Sequence, residues 1–209
     1  MVIPTTVLER VPPRAAGGAR VCLASRSPRR AELLGILGVE FEIVVADIDE
    51  TPWAGEVPPV YVERIAREKA AAVTCDDAVV LAADTCVAVD ELIFGKPRDH
   101  ADARRMLRAL SGRWHAVHTA VALRAPGGTM QAVVVSTRVE FAPLDDALID
   151  AYWASGEPAD KAGAYGIQGL GGALVTRIEG SYSAVVGLPL AETRALLDGE
   201  GVRHALRRA

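Results

Sequence analysis

The stretch that most limits how this chain can fold runs from Val79 to Pro97. One apolar run ends on Asp84 and a second follows it. After Asp90-Glu91 a third run closes on Gly95-Lys96-Pro97. Apolar runs of this length, rich in β-branched residues and bounded by turn residues, read as strands. Asp90-Glu91 is a hairpin turn without the glycine that favours the tightest loops.

Folding that hairpin gathers polar groups at its open end. A two-residue loop sets Thr85 opposite Lys96, whereas a three-residue loop, Val89 to Glu91, sets Asp84 there. Pleating sends Asp84 and Thr85 to opposite faces, so loop length decides which of them meets the ammonium. The alternative is an ordinary polar strand end with a solvated lysine.

At 209 residues the chain makes one large domain or two small ones. A net charge of −4 argues against a nucleic-acid partner, leaving only a local basic patch as a footprint. No apolar run approaches the roughly 18 residues that span a bilayer, so no membrane association is expected. Cys22, Cys75 and Cys86 make no metal-binding spacing and read as buried, reduced thiols of a cytoplasmic protein. Residues 1–19, with Arg10 and Arg14 among Pro and Gly, lack the apolar core of a secretory signal and read as a flexible leader.

Val21 to Ser25 is a short strand. The helix after it has Ser27 as N-cap, Pro28 in its first turn and Gly38 just past its end. Arg26, Arg29 and Arg30 crowd its start, where cations oppose the helix macrodipole. An anion such as phosphate would relieve that conflict, with backbone donors and guanidinium forks converging on it. Phe41 to Ala46 is a second strand, ending in Asp47-Ile48-Asp49-Glu50, a carboxylate cluster suited to a hard divalent cation.

Pro59 to Val73 reads as a helix. At about 100° per residue, Val62, Ile65, Ala66, Ala70 and Val73 form one apolar stripe with Lys69 in its middle. That lysine either snorkels out to water or reaches a cavity that holds negative charge. Asp99 caps a helix through Ala109, Trp114 to Leu123 is a strand, and Met130 to Phe141 brings one or two more. Asp145 or Asp146 starts a helix to Ala154. His115 and His118 fall on opposite faces of one strand, which argues against histidine-bound zinc. Five glycines fall in ten residues from Gly163, and such a loop lets its backbone approach a ligand closely. Ala173 to Ile178 is a strand, Gly180 to Ser183 a turn, and Pro189 to Leu197 the closing helix. The mixture predicts an α/β fold with a long, curved mixed sheet, flanking helices and two lobes around a central cleft.

The flagged polar residues are Ser27, Arg29, Arg30, Glu50, Lys69, Asp84, Lys96 and Gln168. Four cations suit a polyphosphate, and two carboxylates suit a hydrated divalent metal and the activation of water. No nucleophile–histidine pair stands out. The reaction class that fits is metal-assisted hydrolysis of a phosphoanhydride.

Leu23-Ala24-Ser25-Arg26-Ser27-Pro28-Arg29-Arg30-Ala31-Glu32-Leu33-Leu34 resembles the opening signature of the Maf family of nucleoside triphosphate pyrophosphatases. Ala83-Asp84-Thr85 with Gly95-Lys96-Pro97, then Leu110 to His115, look like its second and third blocks. Asp160 to Gly169 and Gly187-Leu188-Pro189-Leu190 resemble its C-terminal blocks. The likeness covers about residues 20 to 198, in the family's order.

The resemblance implies one domain over residues 20–209, with a fold like inosine triphosphate pyrophosphatase and commonly a homodimer. It implies hydrolysis of a small-molecule nucleoside triphosphate between the α and β phosphates, with Mg2+ or Mn2+ as cofactor. By matching positions, Asp84 is the general base or water-positioning carboxylate, and Glu50 supports the metal or the water. Both carboxylates are the metal-binding candidates. Arg29, Lys69 and Lys96 hold the triphosphate, Lys96 acting beside the two catalytic carboxylates, with Ser27 and Arg30 close by. Thr85 and Gln168 shape the base pocket. The Tyr165-Gly166-Ile167-Gln168-Gly169 form is associated with dTTP and UTP, and a sister branch with N7-methyl-GTP carries an acid at the Gln168 position. An amide both donates to and accepts from a uracil or thymine edge. The family's link to inhibition of septum formation gives the alternative, a nucleotide-binding regulator of cell division with little turnover.

Overall fold

The apolar residues from Ala78 onward form one 12-residue strand, β3 (Ala78–Val89), and Asp84 lies in its middle. The expectation that a strand ends on Asp84 is therefore corrected. This is a computed structural model, describing residues 19–75, 77–90 and 92–207. The leader expected over residues 1–19 falls, apart from Ala19, outside the described residues.

Six further strands complete a mixed sheet: β1 (Arg20–Leu23), β2 (Phe41–Ile43), β4 (Leu92–Phe94), β5 (Trp114–Arg124), β6 (Met130–Phe141) and β7 (Val175–Glu179). Their order is β2-β1-β3-β5-β6-β7, with β4 also on β3. β2, β1 and β3 run parallel, and every other pairing is antiparallel. The helices are α1 (Pro28–Ile36), α2 (Pro58–Ala72), α3 (His100–Leu110), α4 (Asp146–Ala154), α5 (Tyr182–Val186) and α6 (Leu190–Gly199). Among the described residues no helix is long and apolar enough to cross a membrane.

β3 is apolar almost throughout because both its faces are covered. Ala78, Val80 and Ala82 pack under α2 with Val62, Ile65, Ala66 and Ala70. Val79, Leu81 and Ala83 pack on the other face with Leu33 and Leu34 of α1 and Leu196 and Leu197 of α6. Further along, Val87 and Val89 join Met106, Leu107 and Leu110 of α3 and Phe141 of β6.

One edge of β3 is divided. β1 pairs with it as far as Leu81, and β4 begins opposite Val87. β5 runs continuously along the other edge, from Val80 to Ala88. Residues 82–86 thus have no strand partner on one side among the described residues. The hairpin register, Val87↔Phe94 to Val89↔Leu92, leaves two residues between the strands, of which Glu91 lies outside the described residues. The two-residue alternative is the one found, and its ladder stops short of Lys96.

Three of the six α-helices among the described residues start on a side-chain cap. Asp99 accepts from the Asp102 amide at 2.8 Å and Asp145 from the Leu148 amide at 2.8 Å. Ser27 stands at the N-cap of α1, but its side chain makes no capping hydrogen bond. Residues expected as a turn around Gly180 to Ser183 instead lead into α5, where Ser181 Oγ accepts from the Ala184 amide. Cys22 and Cys75 are joined in a disulfide, because β1 and the segment after α2 bring their Cα atoms within 6.9 Å. Two of the three thiols expected to be reduced are therefore not, and that support for a reducing compartment falls. Cys86 is free and buried.

His115, on β5, is enclosed edge-on by Phe141 and Tyr165, with ring centroids 4.9 and 5.5 Å away. Its Nε2 pairs with the Tyr165 hydroxyl at 2.8 Å, and its Nδ1 meets no partner among the described residues. Burial, aided by Arg113, holds its pKa down at about 4. The unfolded chain takes up this proton below the ordinary pKa near 6.5, and the folded chain resists until about pH 4. Stability is therefore lost as pH falls through that window. Between pH 7 and pH 5 the loss from this group is about 2 kcal/mol. Urea titrations of the parent and His115→Gln at the two pH values should differ by that amount; parallel pH slopes would show that His115 is not buried neutral.

Candidate functional site

A cavity of about 740 Å³ opens on the unpaired edge of β3 and reaches round both of its faces. Asp84, Thr85, Cys86 and Val87 form its floor. The start of α1 forms one wall, the Glu50 segment and α2 a second, and residues 160–162 and 165–169 a third. Every flagged residue borders it, Ser27, Arg29, Arg30, Glu50, Lys69, Asp84, Lys96 and Gln168, and so does Thr85. A fold must bring together positions up to 141 residues apart to do this, from Ser27 to Gln168.

Asp84 lies on the α2 face of β3 and is only 5% exposed. The Lys69 ammonium donates to Asp84 Oδ1 at 2.8 Å and lies 2.9 Å from Glu50 Oε1. Lys69, itself buried, thus takes the second course open to it: it reaches a charged cavity along the apolar face of α2. Burial raises the pKa of Asp84, while Lys69 and Arg30 draw it back down. Glu50 stands in a more open position, its side chain 52% exposed. Its segment is pinned from α2. Tyr61 donates its hydroxyl to the Glu50 carbonyl at 2.9 Å, and Arg64 donates to the Thr51 carbonyl and to both oxygens of Glu56.

On the other face of β3 the hydrogen bonds form one oriented chain. Thr119 must donate to the Ala184 carbonyl at 2.7 Å, since that oxygen only accepts. Thr85 therefore donates to Thr119 at 3.0 Å, and it accepts from Arg30 Nη2 at 3.4 Å. Arg30 also donates to the Gly187 carbonyl at 3.0 Å and to Ser25 Oγ at 3.3 Å. Burial lowers its pKa, opposed by the charges of Asp84 and Glu50. The Thr85 proton is committed to Thr119, so this hydroxyl's evident work is to hold Arg30. Arg29 reaches Asp160 at 3.4 Å across the cavity mouth. Lys96 is exposed and makes no hydrogen bond or ion pair among the described residues.

Gln168 is exposed on the rim, in a segment bracketed by short 3-10 turns at Glu157–Asp160, Ala162–Ala164 and Leu170–Leu174. Reading the residues alone missed Tyr61, Asp160 and Lys161. Tyr61 was detectable: Tyr61, Ile65 and Lys69 are spaced by four and share one helix face. Asp160 and Lys161 form a charged pair at the head of the glycine-rich loop.

Comparison with known proteins finds relatives over most of the chain. A relative from Vibrio cholerae named dTTP/UTP pyrophosphatase is 55% identical over 182 residues, 86% of this chain and 97% of its own. Relatives of the same name from Methylobacillus flagellatus and Anaeromyxobacter dehalogenans are 54% and 57% identical, covering 88% and 87% of this chain and 94% of their own. The solved Ham1 protein of Staphylococcus aureus superposes with a TM-score of 0.53 at 13% identity, over 87% of this chain and 99% of that one, which is a likeness of fold. Residues 20–200 match the family described as Maf-like protein, and the chain belongs to that family.

Proposed function

We propose that this protein is a nucleoside triphosphate pyrophosphatase that hydrolyses dTTP and UTP to the nucleoside monophosphate and pyrophosphate. The names of its relatives support the substrate. The observation that carries the reading is Asp84, a carboxylate buried where β3 borders the cavity between β1 and β4 and held there by Lys69.

Arg29, Arg30, Lys69 and Lys96 all border the cavity, enough positive charge to bind a triphosphate. Asp84 accepts a proton from the attacking water. That water's oxygen bonds to the α-phosphorus, the bond to the α,β-bridging oxygen breaks, and pyrophosphate leaves. Lys69 fixes the Asp84 carboxylate and Tyr61 fixes the Glu50 backbone, so both acids keep their places before substrate arrives. Arg30, held by Gly187, Ser25 and Thr85, presents a fixed charge, whereas Lys96 is free to follow the phosphates.

The donor set fits Mg2+ or Mn2+. Glu50 and Asp84 converge on one ammonium, and Asp47 lines the same cavity. No group of three protein ligands suited to a metal occurs among the described residues. That matches a cation held by one or two carboxylates together with substrate phosphates. Such an ion would neutralise phosphate charge. Gln168 offers both a donor and an acceptor to a uracil or thymine edge.

Two outcomes follow. Asp84→Asn should fold normally and lose about 10² to 10⁴ of kcat, the usual span for a general base. Pyrophosphate release with magnesium measures it, and a mutant within tenfold of the parent would remove Asp84 from the role. If the parent binds dTTP tightly and releases no pyrophosphate, it is a nucleotide-binding regulator instead. Gln168→Glu should lower kcat/KM for dTTP and UTP by about tenfold relative to N7-methyl-GTP, in line with the cost of about 1–3 kcal/mol of leaving an acceptor of the bound base unpaired. An unchanged ratio would exclude Gln168 from base selection.

A further inference from the structure

Three backbone amides around Gln168 point at two side chains that do not line the cavity. Glu157 Oε2 accepts from the Leu170 amide at 2.7 Å, and its Oε1 accepts from the Gly171 amide at 3.0 Å. The Tyr152 hydroxyl accepts from the Gly166 amide at 3.0 Å and donates its own proton to Glu157 Oε1 at 2.7 Å. One carboxylate and one phenol therefore grip the chain on both sides of residues 167–169. All of these bonds lie behind the rim that carries Gln168.

We propose that Glu157 and Tyr152 are positioning residues that set base selectivity, by clamping residues 166–171 so that Gln168 faces the cavity in one backbone conformation. The inference rests on the nucleotide pyrophosphatase reading above and adds two residues to it. Ionisation suits the clamp, since a carboxylate accepts several amide hydrogen bonds at once. Burial pushes the Glu157 pKa up, but the Gly171 amide, the Tyr152 hydroxyl and the Leu170 amide together carry it below its ordinary value. The segment is also too close to the clamp to be rebuilt with larger residues. A Cβ at Gly169 would collide with the Glu157 carboxylate, and one at Gly171 with the Tyr152 hydroxyl. On the inner side the half-buried Ile167 packs against both the α1 core and the α3 core, so Gln168 sits between an apolar anchor and a glycine crowded by the Glu157 carboxylate. Tyr152 itself is buried on α4, held by the body of the protein rather than by the loop.

The clamp's side chains make no hydrogen bond to the residues that face phosphate. One link runs through the Glu157 backbone carbonyl, which accepts from Lys161 at 2.7 Å, Lys161 pairing in turn with the Asp160 that Arg29 reaches. Substitutions of the Glu157 and Tyr152 side chains leave that carbonyl in place. Arg30 is held by Gly187, Ser25 and Thr85, and Lys69 by Asp84 and Glu50, none of which Glu157 or Tyr152 touches. Losing the clamp should therefore weaken the reading of the base and spare the binding of the phosphate chain. A general loosening of the fold would weaken both.

The test compares the parent with Tyr152→Phe and Glu157→Gln. Phe removes the acceptor for the Gly166 amide while keeping the ring, and Gln leaves an amide group where two backbone donors need acceptors. Steady-state rates are measured with dTTP, UTP and CTP, and inorganic tripolyphosphate serves as a base-free competitive inhibitor. The expected result is a rise of about tenfold in KM for dTTP with kcat changed less than threefold. The dTTP-to-CTP ratio of kcat/KM falls by a similar factor, and the tripolyphosphate inhibition constant stays within twofold. If folded variants keep the parent's dTTP-to-CTP ratio within twofold, or if tripolyphosphate weakens as much as dTTP, the clamp does not set selectivity. Should Glu157→Gln fail to fold, Tyr152→Phe alone decides between these outcomes. A parent that hydrolyses no dTTP overturns the activity on which the inference stands, a result distinct from a selective parent with unaltered variants.

Discussion

The buried pair of Lys69 and Asp84 is the interaction around which the cavity is built. A carboxylate in the middle of a strand covered on both faces carries a desolvation cost of several kcal/mol unless a cation accompanies it. Here the cation comes along α2, 15 residues earlier in the chain, and the two atoms meet at 2.8 Å. An apolar pair of the same volume would hold α2 to the sheet as well or better, since replacing buried ion pairs is often neutral or stabilising. The pair is thus poor value as a staple. Its position explains it better: residues 82–86 are the stretch between β1 and β4 with no strand partner on that side among the described residues, so the buried charge borders the cavity rather than sealed core.

The arginines at the start of α1 show a related economy. Cations there oppose the helix dipole, which makes an anion the expected remedy. Part of the remedy is already internal. Arg30 is absorbed by the Gly187 carbonyl, Ser25 and the Thr85–Thr119–Ala184 chain, and Arg29 leans toward Asp160. Neutral acceptors orient a guanidinium without cancelling its charge. Arg30 therefore keeps its positive charge at a fixed place, while the acid beside Arg29, Asp160, is a loose, exposed contact.

Local rules made much of this legible from sequence, and the failures share one cause. Caps and periodicity located α1, α2 and α3, and the same periodicity showed Lys69 pointing inward. Strand lengths went astray where a residue's character was judged without its partner. Asp84 looked like a terminus because nothing within β3 could neutralise it; the neutralising group belongs to another element. Gly180 to Ser183 looked like a turn because the apolar contacts that stabilise a five-residue helix at Tyr182–Val186 are not local. Cys22 and Cys75 are separated by 53 positions, and only the packing of α2 against β1 and β3 makes them neighbours. In each case a tertiary contact overrode a local expectation.

The glycine-rich segment reverses the usual reading of such loops. Five glycines in ten residues suggest a backbone free to approach a ligand. In the fold, the close approaches at Gly166, Gly169 and Gly171 are to Lys161, Glu157 and Tyr152, groups of the protein itself. Glycine is needed there because an anchored carboxylate and phenol lie where a Cβ would stand. The backbone amides that glycine exposes are then occupied by fixed acceptors, which removes the conformational freedom that glycine otherwise brings. Small residues in this loop thus serve rigidity. A loop held this way can keep one exposed amide, Gln168, in a fixed place on the rim, and a fixed donor–acceptor pair distinguishes bases far better than a mobile one.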